Sequence, residues 1–328
     1  MASFRALIES RLFGAGLAVG AVCALLVLIA TGNRATRARP QRRAARDLDT
    51  ATGSTGSQHG SLPGTIGGAF VVATIVALGW LGADAGGADV SGSLVLGLFL
   101  LWLGGTLAAF LPRHPGLAGA LLAIPGGVVI ASGVSGRPAW TAALLIAGPA
   151  IAGSATADLD ERLAASGTAA LAFAVALGGM YATVPDTELV RIALGAAVWL
   201  TLLAWPFALG RIGRGGAYTA SGLFLWIAVV AGGGRSGSTV GAAACLGMLI
   251  AEPLGRLFAG PVPIRSRPRG TTAPALIIGG QCALALYCAR VAGFEVLASN
   301  AALLALPALV AAVVIAAAAA RAGPRGRR

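Results

Sequence analysis

Lysine is missing altogether: all 24 basic residues of this 328-residue chain are arginine. A Walker A loop, a pyridoxal or retinal Schiff base and a Ser-Lys dyad each need the lysine amine, so those chemistries are excluded. Charge is scarce as well, at 11% of residues where soluble domains carry roughly 25%. The only two histidines, His59 and His114, lack the spacing of a metal, haem or triad site. Four cysteines, Cys23, Cys245, Cys282 and Cys288, fall in apolar segments with neither CxxC nor ligand spacing. They read as small packing residues, and no disulfide framework, metal or other cofactor is expected.

What is present is apolar: 57% of residues are hydrophobic and the mean hydropathy is +0.83. Stretches near 20 residues, the length that crosses a hydrocarbon core of roughly 30 Å, recur with short gaps. The expectation is an all-α, polytopic integral membrane helical bundle of about eleven transmembrane helices. The spans fall at 13–31, 64–82, 93–111, 117–134, 139–157, 165–183, 189–209, 217–232, 239–259, 273–291 and 298–320. The fourth and eighth are short and glycine-rich. Residues 1–31 form an N-terminal anchor, retained because six arginines follow it and two precede it, the reverse of a cleavable signal. Residues 32–63 run from arginine-rich into Ser/Thr/Gly-rich sequence and predict a flexible cytoplasmic linker. Residues 64–320 form a ten-helix membrane domain, and 321–328 a basic cytoplasmic tail.

Alternate loops collect 18 of the 24 arginines. By the positive-inside rule that side is cytoplasmic, which puts the N-terminus outside and the C-terminus in the cytoplasm. The same asymmetry accounts for the net charge of +12 and pI of about 11.3 without a nucleic-acid partner. Anionic lipid head groups of the bilayer are the expected contacts. Arginine, alanine and glycine bias together suggest a high-GC bacterial genome and a multi-pass protein of the plasma (inner) membrane. Trp80, Trp140 and Tyr181 fall at predicted outer helix ends, and Trp205 and Tyr218 at inner ends, as interfacial aromatics do. Gly16 and Gly20 form a GxxxG that suits packing on a neighbouring helix, a membrane-protein partner or a second copy.

Ten short-looped helices after the anchor divide into five and five, compatible with an inverted repeat. In helix count and loop length, residues 64–320 resemble the ten-helix drug and metabolite transporters, with no shared motif. Proline and glycine at Pro125-Gly126-Gly127, Gly148-Pro149 and Pro307 either interrupt helices near the midplane or make tolerated kinks.

The candidate functional residues are few. Glu252 lies in an apolar segment with Arg256 one turn on. A carboxylate inside a span costs roughly 2.5 to 3.5 kcal/mol on insertion scales, which suits proton or ion coupling; the alternative is an interfacial pair. Asp158, Asp160 and Glu161 end the fifth span, where carboxylates two apart suit Mg²⁺ on a lipid-linked diphosphate or simply cap a helix. Asp186 and Glu188, with Arg191, open the seventh span as an outer acidic gate or as dipole-compensating caps. Arg235 sits in GGGRSGST before the ninth span, a phosphate-binding loop or a tight polar turn. Its RSG resembles part of the polyprenyl-diphosphate phosphatase signature, whose glutamate-rich companion is absent. The expected function is a permease or flippase for a small or lipid-linked solute, favouring a non-enzymatic role. The alternatives are an intramembrane enzyme on polyprenyl-linked substrates and a non-catalytic subunit of an envelope assembly complex.

Overall fold

The computed structural model describes residues 10–29, 65–81, 91–108, 115–134, 136–162, 167–204, 212–233, 235–251, 272–292, 310–315 and 317–318. Among them every regular element is a helix and no strand occurs. The elements are α1 (Arg11–Ile29), α2 (Thr65–Leu81), α3 (Gly92–Ala108), α4 (Pro115–Ser132), α5 (Ala139–Arg162), α6 (Thr168–Thr183), α7 (Glu188–Ala204), α8 (Gly213–Ala231), α9 (Ser236–Ala244) and α10 (Thr272–Ala292). Residues 247–251, 310–315 and 317–318 are also helical. Alanine and leucine, the strongest helix formers, dominate these segments. α1 and the stretch Ala139–Glu161 are each long and apolar enough to cross a membrane, and Gly92–Ala108, Ala118–Ser132, Thr168–Thr183 and Pro274–Arg290 are shorter apolar helices.

α3, α4, α5 and α8 close into a ring whose neighbours all run antiparallel. A Cβ on Gly126 of α4 would stand 2.7 Å from the Gly97 oxygen of α3, and one on Gly104 of α3 2.9 Å from the Leu122 oxygen. Backbones this close are what small residues permit, and van der Waals contact at such seams holds apolar helices together. α8 is the hub: all of it but Arg214 and Val230 is buried. One of the two short, glycine-rich spans is therefore the central helix, and Gly215 and Gly222 admit α3 at close range.

α6, α9 and α10 form a second group. Phe173 of α6 joins it to the ring, its centroid 5.6 Å from Phe70 of α2 and 5.6 Å from Phe224 of α8, both edge to face. α8, from the second half of the ten expected spans, packs with α3, α4 and α5 from the first. α1 lies parallel to α7, where Gly16 and Gly20 meet Ile192, Ala196 and Trp199, and Trp199 Nε1 donates to the Leu17 oxygen at 2.8 Å. The GxxxG thus serves an internal seam.

Large apolar side chains lie both inside and outside: Tyr218, Phe173, Phe224, Leu98 and Leu101 are in the core with Ala73, Ala77 and Ala176, while Leu25, Leu26, Val72, Phe99, Leu121 and Leu286 face outward, Leu286 at 72% exposure. Arg137, Asp160, Glu161, Asp186, Glu188, Arg191, Arg214, Arg235 and Arg290 all lie at or beyond helix ends.

Of the two readings of Pro125 and Pro149 the tolerated one holds, since α4 and α5 run through them, and Gly126 and Gly127 give close contacts to α3 and α5. Two expectations are corrected. The ninth span is not continuous, being broken after Ala244. Tyr218 is no interfacial aromatic but fully buried in the ring. Residues 32–63 and 321–328, with Glu252, Arg256, Pro307, Trp205, His59 and His114, lie outside the described residues.

Candidate functional site at a broken helix

α9 stops after nine residues, in a run of small side chains that offers little packing to hold its register. At the break the Cys245 N–H is shared between the Gly241 and Ala242 oxygens at 3.2 Å, and the Leu246 N–H reaches the Ala243 oxygen at 3.0 Å. That is a tightened turn, and helix resumes at 247. The Cys245 carbonyl accepts a hydrogen bond from Gln281 Nε2 of α10.

Gln281 is fully buried, and its Oε1 finds no hydrogen-bond partner. An unmet buried acceptor costs about 1–3 kcal/mol, so the arrangement is expensive for packing alone. The Cys245 thiol donates to the Gly241 oxygen at 3.3 Å, and Thr183 Oγ1 of α6 donates to the Gly179 oxygen at 2.6 Å. Gly179 of α6 makes room, since a Cβ there would stand 2.9 Å from Cys245 Sγ and 2.7 Å from the Ala285 Cβ. Cys245 and Gln281 meet directly, Thr183 bonds the oxygen of Gly179 beside them, and all three are buried and uncharged. The tightened turn at Cys245 and the unpaired Gln281 amide oxygen together place polar groups inside an apolar seam, as interrupted membrane helices do where they meet solutes.

The acidic residues at the end of α5 are engaged elsewhere. Asp160 Oδ2 accepts the Gly213 N–H at 2.9 Å, capping α8, where Gly213 has a positive φ of 68° that suits glycine. Glu161 takes Arg214 through Nε at 2.5 Å and Nη2 at 2.7 Å. Asp160 caps not the next helix in sequence but α8. Asp158 is on the same final turns of α5, and among the described residues no three of His, Cys, Asp and Glu stand together as a metal site.

At the opposite end, Asp186 Oδ1 accepts the Glu188 N–H at 3.1 Å, capping α7, and its own N–H reaches the Ala231 oxygen at 3.4 Å. Arg191 stacks over Tyr181 at 5.9 Å, and Arg137 Nη2 donates to the Val230 oxygen at 3.3 Å. Arg235 is exposed and N-caps α9 without a side-chain bond, while Ser238 and Thr239 are buried. The structure brings these loops together but forms no ion pair between Asp186 or Glu188 and Arg235 among the described residues. A crevice of about 10 Å³ between α1, α2 and α7, lined by Cys23, Phe70 and Trp199, has room for about one water.

No family model, curated protein or solved structure matches the chain. The site therefore rests on its own chemistry.

Sequence reasoning weighed charged residues and passed over Gln281. The signal was present, a lone amide inside the apolar run of 275–289. Its meaning depends on Cys245, which no local pattern pairs with it.

Proposed function

We propose that the chain is an integral membrane bundle that moves a small or lipid-linked solute, which it meets at the α9 break on Gln281 and the Cys245 carbonyl. The observation that carries this is the buried break itself, with a free amide oxygen beside it. The membrane reading is supported by the many large apolar side chains that face outward, such as Leu26, Phe99, Leu121 and Leu286, and by charges gathered toward helix ends. Helices of 16–24 residues rise about 24–36 Å at 1.5 Å per residue, which suits a hydrocarbon core. Glu252 with Arg256 is the proposed proton-coupling pair. The N-terminus is outside, the C-terminus cytoplasmic, and the bacterial plasma membrane is the location.

The test is native mass spectrometry of gently extracted protein. Wild type should carry a bound solute or lipid-linked species, and Gln281→Leu should elute at the same volume without it. Equal occupancy in both proteins would sink the assignment of the site.

Orientation has its own check. A single cysteine at Gly87, in a chain otherwise free of cysteine, should react with an impermeant thiol reagent added to intact cells, and one at Ser57 should not. Labelling at Ser57 alone would reverse the topology.

A further inference from the structure

We propose that the break at Cys245 is a two-state element: a broken form held by Gln281, and a continuous α-helix over 236–251 that the local sequence favours. Residues 242–250 read AAACLGMLI, with no proline and, Gly247 apart, mostly strong helix formers. Nothing in that run requires a break. Gly247 is accounted for by packing, since a Cβ there would stand 2.8 Å from Leu284 Cδ2 of α10. The break is therefore imposed from outside the segment, and a conflict between local preference and tertiary contact is where a protein keeps two forms close in energy.

The hydrogen bonds identify what imposes it. In a continuous helix the Leu246 N–H would bond the Ala242 oxygen, and the Cys245 oxygen would take the Leu249 N–H. Here the Leu246 N–H reaches the Ala243 oxygen at 3.0 Å, the Cys245 N–H is divided between the Gly241 and Ala242 oxygens, and the Cys245 oxygen accepts Gln281 Nε2. The regular pattern returns with the Ile250 N–H on the Leu246 oxygen at 3.1 Å. Gln281 thus stands in for a backbone donor, and in that position its Oε1 is buried without a partner.

The two forms are close to balanced. Closing the helix exchanges the Gln281–Cys245 hydrogen bond for a backbone one, and leaves the amide unmet at both poles instead of one. That last difference keeps the broken form while the amide has no other partner. A solute that bonds both poles would remove it and shift the population to the continuous form. This coupling rests on the solute reading above, whereas the two-state element stands without it. The motion is a rotation: a tightened turn winds about 120° per residue against about 100° in an α-helix, so regularising Cys245 and Leu246 turns α9 by about 40° relative to 247–251. α9 packs on α6, α8 and α10 through the mostly small side chains of SGSTVGAAA, which interlock little against such a turn.

Hydrogen exchange of the full chain in lipid nanodiscs, read by mass spectrometry with no solute added, tests this. Gln281→Leu frees the Cys245 carbonyl for the backbone, so exchange within 243–250 should slow by about five- to ten-fold, the factor that one added backbone hydrogen bond supplies. A side chain that merely braces the segment predicts the opposite sign, faster exchange on its removal. Adding Ala244→Gly to Gln281→Leu should give back about five-fold of the protection, because glycine disfavours the continuous helix. Exchange equal to or faster than wild type in Gln281→Leu, or in Gln281→Met should the leucine variant aggregate, would overturn the two-state element. The measurement contains no solute, so its failure leaves the solute site to the mass-spectrometric test, and failure of that test leaves the exchange result intact.

Discussion

Gly153→Leu should prevent the bundle from assembling, and Gly153→Ala should destabilise it by about 1–3 kcal/mol, the usual cost of overpacking. Tyr218 is fully buried at the centre of the ring. Three glycines from three helices make its socket. A Cβ on Gly105 would stand 2.8 Å from the ring, one on Gly119 would run into the hydroxyl, and one on Gly153 would stand 2.7 Å from the Tyr218 Cα. Alanine's better helix propensity, about 1 kcal/mol over glycine, offsets only part of this. The two positions then differ in a way that a double-variant cycle can read. Gly119→Ala meets mainly the end of the ring and should be relieved by Tyr218→Leu. Gly153→Ala meets backbone and should not be. Thermal unfolding in detergent, followed by size-exclusion fluorescence, measures both. Equal relief at the two positions would show that α5 and α8 do not approach as described.

Removing the carboxylate of Asp160 should cost about 2 kcal/mol, because Asp160→Ala strips the cap from α8 and leaves the Gly213 N–H without its acceptor. Asp160→Asn keeps an acceptor oxygen and should recover much of that loss. Glu161→Ala should cost under about 1 kcal/mol, since Glu161 is 42% exposed and its pair with Arg214 is partly screened by solvent. The same three variants discriminate the enzyme reading. If Asp158 and Asp160 held Mg²⁺ for chemistry on a lipid-linked diphosphate, added Mg²⁺ would raise the wild-type unfolding midpoint and the Asp160→Asn protein would not respond. The expectation is no Mg²⁺ dependence in either, because the Asp160 oxygen that a metal would need is occupied by the start of α8.

The helices themselves were legible residue by residue. The sequence places spans at 93–111, 117–134, 139–157 and 165–183, and helices stand at Gly92–Ala108, Pro115–Ser132, Ala139–Arg162 and Thr168–Thr183. Length, hydropathy and charged boundaries are local properties, so one chain is enough to read them. Prolines left two readings open, because Pro125 and Pro149 suit a break or a tolerated kink in isolation, and only the packed helices decide for the second. The real break at Cys245 carries no proline. It is permitted by small side chains and completed by Gln281, 36 positions away.

The sequence by itself determined that this is an all-helical, apolar, lysine-free chain whose charges gather at helix ends. Those facts follow from composition and from the 1.5 Å rise of each residue, which no packing can change. Tertiary structure alone decided that α8 is the hub, that Asp160 serves α8, that GxxxG joins α1 to α7, and that Gln281 meets Cys245. Each depends on which small surfaces meet. In a chain where nearly every helix offers alanine and glycine on some face, hydropathy cannot rank those pairings; only simultaneous fit of all the helices does.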